Sequence, residues 1–351
     1  MARDKKFRAD FRKNRGSRQR ENDLTHAYGD ADHADDQTRG ERLSGKGELT
    51  RKRTVMGQSA AADGTGQDFV ASIDLSICRK GRVLCVFGLT SLVEADDGAT
   101  FQCATRRLLK TLSTDQRHVV AAGDWVYFRP ATGTEGIIER IEPRRGVLSR
   151  ASKGRQHIMV ANVDQLLVIG SAAEPYLKPN LIDRFLVSAE QAGLRPIIGL
   201  NKIDLGDPAD MQPLVGVYAR MGYSVILLSA KTGQGIAPLQ QQLRDRSTVI
   251  VGQSGVGKSS LLNAAHTGWN LRTSEVSADN QKGRHTTTTA RLFKLETGGY
   301  VVDTPGIRQF QLWDIIAEEV AGHFRDLRPF ANRCKFPNCT HTHESSCAVK
   351  D

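Results

Sequence analysis

Three textures of apolar and polar positions follow one another along the chain. From about Ile73 the apolar residues come in short runs broken by turn formers: Arg82–Phe87, Thr100–Cys103, Asp124–Phe128 and Gly136–Ile141, with Asp96-Asp97-Gly98 placed as a hairpin turn. Five or so short strands in about 75 residues predict a small barrel, OB-like in size, a shape that often holds oligonucleotides without proving that use. From Asn162 onward the runs become nearly continuous, at Gln165–Ile169, Pro196–Leu200, Ser224–Leu228, Thr248–Val251 and Tyr300–Val302, and they alternate with helical patterns. That alternation predicts an α/β domain with a parallel sheet covered on both faces, and a ligand at the carboxyl ends of its strands. Before residue 71 large apolar residues are too sparse to offset the entropy of ordering, which predicts a disordered tail. The expected division is a tail over 1–70, a barrel over 71–150, an α/β domain over 151–312 and a short C-terminal module over 313–351.

Charge sharpens this picture. The 351 residues carry 49 Lys and Arg against 39 Asp and Glu, a net +10 that favours a polyanionic partner without naming it. Within the tail, Arg3–Arg20 holds nine basic residues against Asp4 and Asp10, and Glu21–Asp36 is acidic; Phe7 and Phe11 make the basic arm a candidate for phosphate backbone and stacking. Arg144–Arg155 reads as a linker with five basic residues and no acidic one, a second candidate for phosphate contact. Further basic residues, Arg325, Arg328, Arg333 and Lys335, lie near the C-terminus. Apolar stretches such as Leu166–Ile169 are far too short to span a membrane, the N-terminus lacks the apolar core of a secretory signal, and six cysteines do not make a disulfide scaffold. These features predict a cytoplasmic protein with no membrane partner.

The most specific string is Gly252-Gln253-Ser254-Gly255-Val256-Gly257-Lys258-Ser259, with an apolar strand before it and a helical run from Ser260 after it. This is a phosphate loop in its proper context. Its backbone N–H groups close around phosphates, Lys258 reaches the β- and γ-phosphates, and the Ser259 hydroxyl ligates Mg²⁺. Asn201-Lys202-Ile203-Asp204 follows another strand, where the Asp204 carboxylate would accept from guanine N1–H and the exocyclic amine, donors that adenine does not pair. Ser229-Ala230-Lys231, after the next strand, would support the base through its backbone. Asp303-Thr-Pro-Gly306 supplies a carboxylate for Mg²⁺ and a backbone N–H for the γ-phosphate.

These elements resemble the motifs of translation-factor-type GTPases, but the base-reading motifs at 201 and 229 precede the phosphate loop at 252. The order is circularly permuted. Gly283-Arg-His-Thr-Thr-Thr-Thr289 then takes the place of the first switch loop, where one threonine of Thr286 to Thr289, represented by Thr287, would complete the Mg²⁺ shell. Ile307 stands where many GTPases carry a water-positioning glutamine, which predicts slow hydrolysis by the chain alone, with His285 or a partner completing catalysis. Near the C-terminus, Cys334, Cys339, His341 and Cys347 offer three thiols and an imidazole within fourteen residues, a set suited to structural Zn²⁺, with His343 a rival to His341.

The barrel, the permuted motifs and the cysteine–histidine spacing together resemble the small ribosomal subunit biogenesis GTPases of the RsgA (YjeQ) family, over about residues 70–351. The resemblance implies a monomeric GTPase that binds GTP and GDP, joins the 30S subunit late in maturation, and contacts 16S rRNA through barrel and zinc module. It also implies stimulation by the subunit, departure after hydrolysis, and a catalytic histidine at His285. Members of that family usually continue past the fourth metal ligand into a helical segment, whereas this sequence gives Asp351 four residues after Cys347. Two rival readings are an RNA-binding protein with guanine nucleotide as a structural ligand, and a small-molecule P-loop kinase. The guanine-reading pattern at Asn201–Asp204 argues against the kinase.

Overall fold

The computed structural model describes residues 73–106, 119–152, 155–266, 290–303 and 319–350, with Leu109 and four strand segments before residue 72. The chain forms two compact units, Met1–Asn162 and Val163–Asp351.

In the first unit, strands β1 (Lys5–Phe11), β2 (Arg42–Ser44), β3 (Arg51–Ser59) and β4 (Phe69–Ala71) pair antiparallel around β3. Backbone pairing thus occurs in parts of a stretch whose composition predicts no core. Strands β5 (Arg79–Phe87), β6 (Thr90–Ala95), β7 (Thr100–Thr105), β8 (Trp125–Pro130) and β9 (Glu135–Ile141) then close on themselves in the order β5-β6-β7-β9-β8, with β8 returning to β5. Only the β7–β9 pair is parallel. This is the five-stranded, OB-like barrel expected from the short apolar runs. Alternation along β8 sends Val126 and Phe128 into a core with Val83, Val93, Phe101 and Ile138, and leaves Trp125 and Tyr127 on the outside. Cys85 and Cys103 are buried in this barrel and Cys78 is half-buried; burial pushes the Cys103 thiol up to about 12, as befits a packing residue.

The basic stretch after the barrel is not a plain linker. Strands β10 (Leu148–Ser152) and β11 (Arg155–Val160) pair as an antiparallel hairpin. Arg144 turns inward instead of waiting for phosphate: its Nε and one terminal nitrogen each donate to the Asp124 carboxylate at 2.7 Å, and the latter also to the Val119 carbonyl at 2.7 Å. Asp124 is fully buried and takes a further hydrogen bond from the Ala121 N–H at 2.8 Å, so the pair acts as an internal brace.

The second unit contains β12 (Gln165–Ser171), α1 (Pro179–Gln191), β13 (Arg195–Asn201), α2 (Gln212–Arg220), β14 (Ser224–Leu227), α3 (Ile236–Leu243), β15 (Ser247–Gly252), α4 (Lys258–Ala265), β16 (Arg291–Lys294) and β17 (Tyr300–Asp303). The strands run in the order β14-β13-β12-β15-β17-β16, all parallel to their neighbours except β16. Strand β12 is buried at every position, which explains its unbroken apolar reading. Leu167, Ile169, Ile197, Leu228, Ile250 and Leu261 belong to one core beneath the sheet's carboxyl edge.

Two short helices, α5 (Val320–His323) and α6 (Arg328–Ala331), lead into the cysteine-rich end of the chain. They are tied to α1 by Glu190, whose two carboxylate oxygens accept from Arg325 at 2.6 Å and Arg328 at 2.8 Å. Arg325 also donates to the Gly222 carbonyl at 2.6 Å and lies 4.7 Å from the centroid of the Tyr223 ring. Arg333 lies 5.9 Å from the Phe330 ring centroid and Lys335 5.7 Å from that of Phe336, so all four basic residues near the C-terminus meet groups of the fold.

Candidate functional site

Parallel strands align their carboxyl ends, so Ser229 after β14, Asn201 at the end of β13, Gly252 at the end of β15 and Asp303 at the end of β17 all emerge along one edge of the sheet. The sequence order 201, 229, 252, 303 is permuted, but strand order restores a single row. Three glycines shape the phosphate loop. Gly252, Gly255 and Gly257 have φ of 147°, 84° and 89°, values that side chains strain to adopt. At Gly252 an added Cβ would collide with the Ile169 carbonyl, and at Gly257 with the Asn201 amide, so the loop closes tightly on both neighbouring strands. Ser254 and Gly255 are exposed while Val256 is buried and anchors the loop in the core. The Lys258 ammonium donates to the Gly252 carbonyl at 2.9 Å and the Gln253 carbonyl at 2.7 Å, which holds it across the loop. Ser259 and Ser260 follow in the first turn of α4, half-buried, with the helix N-terminus favouring negative charge.

The loops at 201 and 229 are knitted to the phosphate loop. Asn201 is buried; its Nδ2 donates to the Val256 carbonyl at 2.7 Å and its Oδ1 accepts from the Ala230 N–H at 3.3 Å. One amide therefore ties together the loops at 201, 230 and 256. The buried Ser229 hydroxyl donates to Asp204 at 2.6 Å and accepts from the Thr232 N–H at 3.1 Å. Asp204 itself is exposed, so the rest of its carboxylate faces outward to accept donors. Lys202 takes a left-handed conformation, φ 65°, and its ammonium reaches the Glu174 carbonyl at 2.6 Å. Lys231 is exposed beside this loop.

Residues after β12 escape sequence reasoning. The Ser171 hydroxyl donates to the Glu174 carbonyl at 3.2 Å, fixing the turn that receives Lys202, and an added Cβ at Gly255 would lie 3.7 Å from Pro175. This turn forms a third wall of the site. Its only signal in the sequence is that it follows the most deeply buried strand of the sheet. The Asp303 side chain, Gly306, His285 and Thr286 to Thr289 lie outside the described residues, as does the first-switch loop to which the histidine and threonines belong.

At the C-terminus the four expected ligands converge. The thiols of Cys334, Cys339 and Cys347 and a ring nitrogen of His341 all lie within 4.8 Å of one another. His341 Nδ1 is 3.4 Å from both Cys334 Sγ and Cys347 Sγ, and the latter two are 3.9 Å apart. A tetrahedral zinc with ordinary bond lengths would separate two sulfurs by about 3.8 Å and a sulfur and nitrogen by about 3.5 Å, so the donor set fits Zn²⁺. The rival His343 side chain is 81% exposed and outside the cluster. Glu344, unforeseen from sequence, clamps the ligand loop: one oxygen accepts from the Thr340 hydroxyl at 2.7 Å and N–H at 2.8 Å, the other from the N–H groups of Thr342 at 3.1 Å and His343 at 3.2 Å. Those bonds, led by the Thr340 hydroxyl, hold its carboxyl well below the usual carboxylate range.

Barrel, permuted sheet and phosphate loop define a circularly permuted P-loop GTPase with an OB-like barrel ahead of it. Residues 141–313 match the family model described as RsgA GTPase. A small ribosomal subunit biogenesis GTPase RsgA of Sodalis glossinidius is 39% identical over 285 residues, covering 79% of this chain and 80% of the relative. Its counterpart from Chlorobaculum parvum is 40% identical over 281 residues, covering 77% and 90%. The crystal structure of YjeQ from Thermotoga maritima superposes with a TM-score of 0.64 at 34% identity, covering 78% of this chain and 90% of that one. YloQ, described as a circularly permuted GTPase, gives 0.61 at 29% identity, covering 78% and 87%. The chain belongs to the RsgA family of GTPases. No helix among the described residues is long and apolar enough to cross a membrane.

Proposed function

We propose that this GTPase is a switch that binds the 30S ribosomal subunit, assists its late maturation and leaves after GTP hydrolysis. The observation that carries the reading is the Asn201 amide, which joins base loop and phosphate loop into one guanine nucleotide site, in a chain whose relatives are named for small-subunit biogenesis. In this reading Asp204 reads guanine, Ser229 holds Asp204, and Ala230 and Lys231 border the base. Gly252 to Ser260 enclose the phosphates. Ser259, Asp303 and one threonine of the 286–289 run hold Mg²⁺, which when bound offsets the charge of the β- and γ-phosphates. Lys258 adds a second positive charge at the γ-phosphate, and His285 orients the attacking water.

The same reading keeps the division into a tail (1–70), barrel (71–150), GTPase domain (151–312) and zinc module (313–351). Cys334, Cys339, His341 and Cys347 hold one Zn²⁺, which supplies a structural cross-link and no open coordination position. Barrel and zinc module meet 16S rRNA, and the protein acts as a monomer in the cytoplasm. In the sequence the segment after Asp303 runs on into the zinc module, so nucleotide state is transmitted to the subunit-binding surface. GTP hydrolysis measured with and without 30S subunits at defined salt tests the proposal. Turnover that is slow alone and rises at least tenfold with subunits is expected; equal rates, or none in either case, would leave guanine nucleotide as a structural ligand only.

A further inference from the structure

The barrel's outer faces differ in chemistry. On β6 and β7 the outward positions are Thr90, Leu92, Glu94, Thr100 and Gln102, with no aromatic and no cation. On β5, β8 and β9 the outward positions form an aromatic–cation ladder. Lys80 stands opposite Tyr127 and Arg82 opposite Trp125 across β5 and β8, and Tyr127 stands opposite Arg140 across β8 and β9. Lys80 Nζ lies 5.1 Å and Arg82 5.2 Å from the centroid of the Trp125 ring, and Arg140 lies 4.5 Å from that of Tyr127. Arg82 is buried and donates to the Asn162 carbonyl at 3.0 Å, and Arg140 pairs with Glu142 at 2.7 Å, so both stiffen the platform. Lys80 is exposed, and both rings are half-buried.

We propose that this β5–β8–β9 face, and not the β6–β7 face on which OB barrels ordinarily bind, takes unpaired RNA bases. Trp125 and Tyr127 stack the bases, and Lys80 meets the phosphate between them. Rigid aromatic surfaces held by cations suit bases of any identity. The inference rests on the reading of the chain as a small-subunit-binding GTPase, and it adds which surface is used and that the RNA there is single-stranded.

The test uses the full chain, with co-sedimentation on 30S subunits and fluorescence anisotropy with a labelled oligo(A) RNA at one fixed salt concentration. The double variant Trp125→Leu/Tyr127→Leu should weaken both by about tenfold or more, and Trp125→Phe/Tyr127→Phe should stay within about twofold of the parent. Lys80→Glu, on an exposed side chain, should also weaken both. Thr100→Ala/Gln102→Ala should lower neither, and GTP hydrolysis without subunits should be unchanged throughout. Oligo(A) binding that survives the leucine pair and Lys80→Glu overturns the proposal, as does loss with the Thr100/Gln102 pair. Loss of subunit binding with oligo(A) binding intact overturns it in favour of a protein contact. Failure of the parent protein to bind 30S would instead remove the function proposed above, while the oligo(A) measurements would still decide the face.

Discussion

The nucleotide edge of the sheet and the cysteine-rich end of the chain are both candidate ligand sites, yet they reach their shapes by different physics. The edge rests on a continuous apolar core, and its loops are joined by Asn201, Ser229 and Lys202 through hydrogen bonds among the chain's own atoms. The C-terminal module has almost no such core. Among the described residues from 319 onward, only Ala321, Cys339 and Cys347 are buried apolar positions, and two of those three belong to the cysteine–histidine cluster. One site is preformed by packing; the other lacks the apolar core that would preform it. Glu190, which grips Arg325 and Arg328, attaches the second kind of structure to the first without supplying a core to it.

The largest effect is expected on removing zinc. Structural zinc in small modules supplies on the order of 10 kcal/mol of folding free energy, so a strong chelator or Cys347→Ser should release zinc and expose the region beyond residue 319 to protease. GTP affinity should be unchanged. Stoichiometric metal retained by Cys347→Ser would refute the ligand set.

A smaller effect is expected on the preformed side. Asp204→Asn replaces an acceptor that matches two guanine donors, and GTP affinity should fall by about a hundredfold while xanthosine triphosphate binds better than before. Competition binding with the two nucleotides would measure this, and unchanged GTP affinity would remove Asp204 from base reading. Smaller still is the effect of Asn201→Ala, which strands the Val256 carbonyl and Ala230 N–H and should cost about 1–3 kcal/mol of stability. Chemical denaturation would report it, with a fall in GTP affinity as the loops loosen. If affinity fell with no change in stability, Asn201 would be a ligand contact only and not a brace.

The same contrast explains what was legible in the sequence. Strands β12, β13 and β15 announced themselves because both faces of a parallel sheet are buried, leaving unbroken apolar runs. The phosphate loop was legible because close approach demands glycine at fixed spacing, and the cysteine–histidine cluster because few residue types serve zinc. The bracing was not. Asn201 reads as part of a base-binding motif, and nothing local reveals that its amide joins loops 29 and 55 residues away. Glu174 contributes only a backbone carbonyl, which any residue could supply. Arg144 sits in a stretch whose composition suggests solvent and phosphate, while its partner Asp124 is 20 residues earlier on another element. Glu344 looks like an ordinary polar residue until its four hydrogen bonds to the ligand loop are seen.

In the proposed function the nucleotide site governs attachment of the whole chain to the small ribosomal subunit. A ligand shifts such an equilibrium only by its differential affinity for the two states. The most direct measurement is therefore the affinity of the zinc-loaded protein for 30S subunits with a non-hydrolysable GTP analogue and with GDP, at the same salt concentration. Binding about tenfold or more tighter with the analogue is predicted, a coupling of about 1.4 kcal/mol. Equal affinity with both nucleotides would contradict it.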